Sequence, residues 1–181
     1  MEHAGVILRK LERRRNTLTG QKVKEEDRSR IALQLNRVYI QLVNIYLGLE
    51  RQTEASQLIA LAEGRLEQNL DDVNTFKLLN ELGNALRKHD NLAMAVQLYK
   101  KALLSIKIRF KNEYLQMRDT AKIIINIAST EYMRDENVES LRYYRHALSV
   151  LKNCSDFPAA QINEVRHLEA GSSTESVLRP E

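Results

Sequence analysis

Side chains capable of catalysis or metal binding are few and scattered in this sequence. The histidines are His3, His89, His146 and His167, and none has a cysteine or carboxylate at the spacing of metal ligands. The single cysteine, Cys154, cannot form an internal disulfide. The sequence also lacks a glycine-rich phosphate loop, a serine nucleophile elbow and an HExxH motif. We therefore expect neither an enzyme nor a metal or cofactor site.

The composition favours a helical chain. Of the 181 residues, 43% are hydrophobic, and only 6 are Gly and 2 are Pro, so residues that break helices are rare. The net charge of +4 permits acidic partners without requiring them. No stretch reaches the roughly 20 apolar residues of a membrane span. The N-terminus has no apolar signal-peptide core. We expect a cytoplasmic location, with a nuclear one as the alternative.

A basic amphipathic helix is predicted over residues 2–19, within a separate N-terminal segment at residues 1–22. One of its faces is apolar, and the other carries a run of cations that Gly20 follows. These cations are Arg9, Lys10, Arg13, Arg14 and Arg15. A solvated helix face is the favoured interpretation, and a nuclear import signal or nucleic-acid patch is the alternative.

Helical periodicity predicts three pairs of helices in a domain at residues 23–169. The predicted spans are 23–50 and 53–69, then 74–88 and 92 to about 117, then 119–134 and 138–152, with a closing helix at 159–169. Thr53 and either Asp71 or Asp72 are expected to cap helices. The residues expected to face the core include Ile31, Leu35, Val38, Leu42, Ile45, Leu49, Tyr132, Tyr144, Ala147, Leu151, Ile162, Val165 and Leu168. Residues 170–181 are predicted to be a disordered tail.

The three helix pairs share one internal spacing. The set Leu82-Gly83, Ala95, Tyr99 and Ala102 recurs 45 residues later as Ile127-Ala128, Ser140, Tyr144 and Ala147. It also occurs 40 residues earlier as Leu42-Val43, Ala55, Ile59 and Ala62. Because the gaps of 13, 4 and 3 residues are the same in every copy, they indicate a structural repeat.

This pattern resembles the tetratricopeptide repeat (TPR) family over roughly residues 36–152. The family signature combines a large apolar residue, Leu-Gly, and later Ala, an aromatic residue and Ala. The central copy carries it at Leu79, Leu82, Gly83, Ala95, Tyr99 and Ala102. The resemblance implies an all-α, TPR-like α-solenoid of about three helical hairpins with flanking N- and C-terminal helices. In such hairpins, small residues let the paired helices approach closely.

Two departures from the family pattern stand out. The common family period is about 34 residues, so the longer periods here imply longer helices and turns. They resemble the long-repeat branch, which includes kinesin light chain and related scaffold adaptors and which implies a cytoskeleton-associated location as a further alternative. Leu86 and Glu131 stand where Tyr is usual, and Val43 and Ser140 replace Gly and Ala. These changes are expected to loosen local packing.

In this family, the first helices of successive hairpins line a concave groove that binds extended peptide. The matching polar positions are Arg37, Gln41, Asn44, Lys77, Asn80, Asn84, Lys88, Lys122, Asn126 and Ser129, with Glu81 beside them. Asn44, Asn84 and Asn126 are expected to clamp peptide backbone, because an amide both donates and accepts hydrogen bonds. Lys and Arg would attract acidic side chains or a C-terminal carboxylate. The alternative is that these residues are ordinary solvated positions.

The resemblance therefore implies a protein-interaction adaptor or scaffold whose partner supplies an extended or helical peptide segment, acidic in one version. A chaperone-tail clamp is disfavoured, because Ile40, Glu81 and Asn126 replace clamp residues and an acid at Glu81 would repel a carboxylate. The alternatives are an architectural subunit of a larger complex and, less favoured, an RNA- or nucleic-acid-binding repeat that uses the basic N-terminal helix. The sequence does not indicate the oligomeric state.

Overall fold

A computed structural model of the chain describes residues 10, 13, 25–68, 70, 72, 74–111, 113, 118–153, 162–163 and 165–171, with the backbone alone at 25–29. Within these ranges the helices are α1 (Glu25–Gly48), α2 (Gln52–Glu67), α3 (Thr75–Lys88), α4 (Leu92–Phe110), α5 (Arg118–Met133) and α6 (Asn137–Lys152). Residues 162–163 and 165–171 are also helical and form the C-terminal helical segment. Lys10 and Arg13 are helical, and the remainder of the predicted N-terminal helix lies outside the described residues.

The helices pack as three hairpins. Helix α1 packs on α2, α3 on α4, and α5 on α6, and α4 also contacts α5. The chain divides into two compact units, Met1–Gln68 with the first hairpin and Asn69–Glu181 with the other two. The predicted all-α, TPR-like class with three helical hairpins is confirmed.

The residues that carry the repeat are all buried. They are Leu42, Val43, Ala55, Ile59 and Ala62, then Leu82, Gly83, Ala95, Tyr99 and Ala102, then Ile127, Ala128, Ser140, Tyr144 and Ala147. The role of the small residues is clearest at Gly83, where an added Cβ would lie 2.6 Å from Tyr99 Cε1. Ser140, which stands where the family usually has Ala, is fully buried, and its hydroxyl donates a 2.9 Å hydrogen bond to the carbonyl of Ala128 on the paired helix.

The two helices of each hairpin are joined by a three-residue turn, and the three turns share one backbone geometry. The middle residues, Glu50, Asp90 and Asp135, have φ of 58°, 60° and 62°. In each turn the next N–H bonds the carbonyl five residues back, from Arg51 to Tyr46, Asn91 to Leu86 and Glu136 to Glu131, at 2.9–3.0 Å. This is a Schellman closure of the first helix. The same residue then accepts the first hydrogen bond of the second helix, so one turn both ends and starts a helix.

The caps and ends of several helices differ from the predictions. Helix α2 begins one residue before its predicted span, and Thr53 lies inside it, so Thr53 is not its cap. The cap residue of α3 is Asn74 rather than Asp71 or Asp72. The Asp72 carboxylate instead accepts a 2.7 Å hydrogen bond from the backbone N–H of Asn74. Helix α4 ends at Phe110 rather than near residue 117. Its ladder stops there because Lys111 adopts a φ of 46°, outside helical geometry.

The second repeat period is five residues longer than the first, and the helices account for the difference. The segments 68–74 and 111–117, which join successive hairpins, both contain seven residues. Helix α4 has 19 residues against 16 in α2, and α5 has 16 against 14 in α3.

Part of the predicted core of α1 is wrong. Leu35 and Leu42 are buried as expected, but Ile45 and Leu49 are 47% and 50% exposed. Tyr39 and Val43 occupy the core instead. The buried face advances in steps of four residues through Leu35, Tyr39 and Val43. At about 100° per residue, Ile45 then lies about 200° around the helix from Val43, on the solvent side.

The C-terminal helical segment covers the last hairpin. Val165 is buried and Ile162 is partly buried against a cluster of residues from α5 and α6 that includes Ile124 and Tyr144. Leu168 and Tyr132, both expected in the core, are exposed instead. Residues 170 and 171, at the start of the predicted tail, are helical, and the rest of the tail lies outside the described residues.

Candidate peptide-binding face

Helix α3 has an apolar side that is buried and an opposite side that carries a row of polar residues. Its buried side contains Leu78, Leu79, Leu82, Gly83, Ala85 and Leu86. The other side carries the predicted site residues Lys77, Asn80, Glu81, Asn84 and Lys88 at helical spacing. The lysines and Glu81 are exposed, while Asn80 and Asn84 are half-buried. The amphipathic sequence of α3 therefore holds the two asparagines at the border between core and solvent.

Helix α5 brings a second polar row against the first. Lys122 is exposed, and Asn126 and Ser129 are half-buried. The Asn126 amide nitrogen donates to Asn80 Oδ1 at 2.9 Å and lies 3.5 Å from Asn84 Oδ1. These bonds join two helices that belong to different hairpins. The residues of the two rows, Lys77, Asn80, Glu81, Asn84, Lys88, Lys122, Asn126 and Ser129, are called the α3/α5 face below.

Three further residues support this face, and sequence reasoning did not link any of them to it. Arg87 donates a 2.9 Å hydrogen bond to Ser129 Oγ, which adds a second link between α3 and α5. The Tyr99 hydroxyl donates to Asn84 Oδ1 at 2.8 Å from the core side. Thr130 Oγ1 donates to the carbonyl of Asn126 at 2.6 Å. Repeat spacing assigned Tyr99 to the core, and only the fold shows that its hydroxyl reaches the polar row.

Burial raises the pKa of Tyr99 to about 12, and the nearby positive charge of Arg87 opposes that shift. The phenol, like that of an ordinary tyrosine, is protonated at neutral pH and can donate its hydrogen. Around the asparagines, the exposed charges of the face are three lysines and one glutamate. The face is thus electropositive and rich in amide groups.

The predicted site residues of the first hairpin lie in the other compact unit. Arg37 and Gln41 are exposed on α1, and Asn44 is half-buried. Ile40, one of the positions compared with the chaperone-tail clamp, is buried in the core. These residues form a separate polar row on α1, and their part in binding stays a prediction.

A buried carboxylate stands in the third hairpin at a position where the family commonly has Tyr. Glu131 is 3% exposed and accepts a 2.5 Å hydrogen bond from Arg134 Nη1. Lys100 Nζ lies 3.5 Å from its other oxygen. The two partly exposed cations neutralise the charge, so this glutamate joins α4 to α5 as an ion pair.

The described residues contain neither a metal-binding cluster nor a membrane-spanning helix. Among the described residues, no three side chains of His, Cys, Asp or Glu come close enough together to hold a metal ion. None of the helices in that part combines the length and apolar character needed to cross a membrane.

Comparison with known proteins adds to this geometry. A family model described as a tetratricopeptide repeat matches residues 75–109, which include α3 and all but the last residue of α4. Among solved structures, the chain is similar to BtubC (BKLC) from P. vanneervenii, with 15% sequence identity and a TM-score of 0.64. The similarity covers 93% of this chain and 66% of that chain, slightly less than two thirds of its length. A search of curated proteins finds no match.

The matched segment coincides with the hairpin in which the repeat signature is most complete. At 15% identity, the structural similarity establishes the fold and leaves the ligand open. Residues 75–109 therefore match a tetratricopeptide repeat, and the chain has an all-α, TPR-like fold of helical hairpins.

Proposed function

We propose that this chain is an adaptor or scaffold that binds a peptide segment of a partner protein on the α3/α5 face. Repeats of this family generally mediate protein–protein interactions. The observation that carries the proposal is the row formed by Asn80, Asn84 and Asn126, held between two hairpins by side-chain hydrogen bonds. A rigid polar row on the first helices of successive hairpins suits a segment that becomes ordered on binding.

The amides retain the capacity to bind a ligand. Each Asn side chain has two N–H donors and one carbonyl oxygen that accepts up to two hydrogen bonds. The network uses only part of this capacity, and all three side chains are half-buried rather than enclosed. An extended peptide presents backbone donors and acceptors at regular intervals, so it can pair with such a row whatever its side chains. The lysines of the face favour acidic side chains in the same segment.

The proposal assigns the chain no catalytic reaction and no cofactor. Its proposed location is cytoplasmic, with nuclear or cytoskeletal association as the alternatives. Measuring the oligomeric state separates this role from its architectural alternative. A peptide-binding adaptor can act as a monomer, whereas an architectural subunit assembles through its own surfaces.

Affinity measurements with a matched pair of charge reversals test the proposal. Peptides are first selected from a random display library against the purified chain, and their Kd is then measured by fluorescence anisotropy. Lys122→Glu reverses an exposed charge on the face, and Lys152→Glu reverses an exposed charge at the end of α6. For acidic peptides we expect Lys122→Glu to weaken binding about fivefold, the effect of about 1 kcal/mol, and Lys152→Glu to leave it unchanged.

Equal affinities for both variants and the wild type, combined with binding elsewhere on the chain, would reject the face as the binding site. Salt separates the proposal from its nucleic-acid rival. Binding carried mainly by amide hydrogen bonds weakens modestly between low and moderate salt, whereas phosphate contacts lose affinity steeply. Selection of no peptide, together with tight salt-sensitive binding of RNA, would favour the rival.

A further inference from the structure

The three asparagines of the α3/α5 face are bonded to one another in a defined direction. Asn126 uses its amide nitrogen as the donor toward both Asn80 Oδ1 and Asn84 Oδ1. The Tyr99 hydroxyl donates to the same Asn84 oxygen at 2.8 Å. The carbonyl ends of Asn80 and Asn84 are therefore turned into the network. Their amide N–H groups remain as the ends that can meet a ligand.

Tyr99 is held where it stands. Tyr99 is 0% exposed, and its ring lies against Gly83, where an added Cβ would come within 3 Å of the ring. A hydroxyl at the end of a fixed ring offers a donor from a fixed point. A tyrosine hydroxyl is protonated at neutral pH, so the donor is present throughout the neutral range.

Arg87 adds a second link beside this network, since it donates a hydrogen bond to Ser129 Oγ between α3 and α5. The direction of the network itself is carried by the bonds that Asn126 and Tyr99 donate to the carbonyl oxygens of Asn80 and Asn84.

We propose that Tyr99 is a positioning residue for this face, which it makes selective for extended acidic peptides by holding Asn84 with its N–H donors outward. The inference rests on the proposed function of the face. The N–H groups of Asn80 and Asn84 then donate to carbonyl or carboxylate oxygens of the ligand. Asn126, whose nitrogen is occupied, offers its carbonyl to a backbone N–H. The exposed Lys77, Lys88 and Lys122 strengthen the preference for acids.

The direction of the network can be measured without a ligand. In nitrogen-15 NMR spectra of the full chain, we expect the side-chain amide protons of Asn126 to exchange slowly and those of Asn84 to exchange quickly. Tyr99→Phe keeps the ring and removes the donor, so it should shift the Asn84 side-chain signals. Slow exchange of the Asn84 amide with fast exchange of Asn126 would mean that the network runs in the opposite direction, and would overturn the inference.

A binding experiment then tests the selectivity. The probes are a capped oligoglutamate peptide and a capped oligoglutamine peptide of the same length. We expect the wild type to prefer oligoglutamate and Tyr99→Phe to reduce that preference about tenfold, since hydrogen bonds to charged groups are the strong ones. The control is Tyr144→Phe, which removes the hydroxyl 45 residues later, where Ser129 replaces the asparagine. It should leave the preference unchanged.

The outcomes separate the two proposals. Oligoglutamate binding that shifts the asparagine signals, with the same preference in Tyr99→Phe and the wild type, would overturn the positioning role and leave the peptide-binding face intact. No shift of any asparagine signal with either probe or with a display-selected peptide would overturn both. Loss of the preference in Tyr144→Phe as well as in Tyr99→Phe would also reject a specific role for Tyr99.

Discussion

Single residues decide how closely the helices of a hairpin approach. Tyr99 fills the space beside Gly83 in the second hairpin, and no side chain can be added there without moving the ring. Gly64, inside α2, has nothing within 4 Å of the place where a Cβ would stand. The two glycines thus offer opposite environments for the same substitution.

We predict that Gly83→Ala and Gly64→Ala change stability in opposite directions. Gly83→Ala should lower the free energy of unfolding by about 1–3 kcal/mol, because overpacking forces Tyr99 from its position. Gly64→Ala should raise it by about 0.5–1 kcal/mol, because alanine loses less conformational freedom in a helix. Urea denaturation followed by circular dichroism measures both. Equal effects of the two changes would contradict the close contact at Gly83.

The buried tyrosines should also be visible in a pH titration. Burial raises the pKa of Tyr99 and of Tyr144 to about 12 from the ordinary value of 10. Because the folded state disfavours the phenolate, this contribution to stability is complete below pH 10 and is lost as the pH rises toward 12. Ultraviolet absorbance should show a late ionisation step, and Tyr99→Phe should reduce its amplitude. Ionisation of every tyrosine near pH 10 in the folded protein would contradict the burial.

At the scale of elements, three turns of different sequence adopt the same backbone conformation. The three left-handed residues are acidic side chains rather than glycines. A left-handed conformation costs most residues about 1–2 kcal/mol, and Asp tolerates it better than Glu. Glu50 is the residue at which this cost should be largest.

Replacing Glu50 with glycine should therefore stabilise the first hairpin. We expect Glu50→Gly to raise the free energy of unfolding by about 1 kcal/mol, and Asp90→Gly to raise it less. Glu50→Ala is the control, since alanine has the same steric conflict as glutamate at positive φ. Thermal denaturation of the three variants measures the difference. A destabilising Glu50→Gly would show that another conformation is occupied at this turn.

Ser140 provides a second test at this scale, within the third hairpin. Its hydroxyl bonds the carbonyl of Ala128, and the residue is fully buried. Ser140→Ala should lower the free energy of unfolding by about 0.5–1.5 kcal/mol through loss of that hydrogen bond. Ser149→Ala, an exposed position on the same helix, should have almost no effect. Urea denaturation measures the free energy of unfolding of both variants. An unchanged free energy for Ser140→Ala would contradict the bond between the helices.

For the whole molecule, the hairpins could be predicted from the sequence because their packing positions repeat. Alanine, glycine and tyrosine at fixed gaps set the distance between paired helices, so local spacing carries the fold. The face of α1 was harder to predict. Apolar residues occupy most of the circumference of that helix. Helical periodicity alone could not decide whether Ile45 or Val43 is the more buried, because that depends on where α2 lies.

The supporting side of the candidate face could not be predicted in the same way. Asn84 and Asn126 were identified as polar positions on first helices, but the bond between them joins residues 42 positions apart. The repeat pattern identified Tyr99 as a core aromatic residue, but nothing in the sequence indicated that its hydroxyl bonds Asn84. Arg37, Gln41 and Asn44 lie in the first compact unit, while the α3/α5 face belongs to the second.

Binding of extended peptide to the α3/α5 face can be tested most directly by NMR. A display-selected peptide is titrated into the labelled full chain while the side-chain amide signals of Asn80, Asn84 and Asn126 are followed. We predict that all three signals shift together with one saturation curve, because the three amides form one network. Saturable binding that leaves these three signals in place and shifts residues elsewhere would contradict the claim.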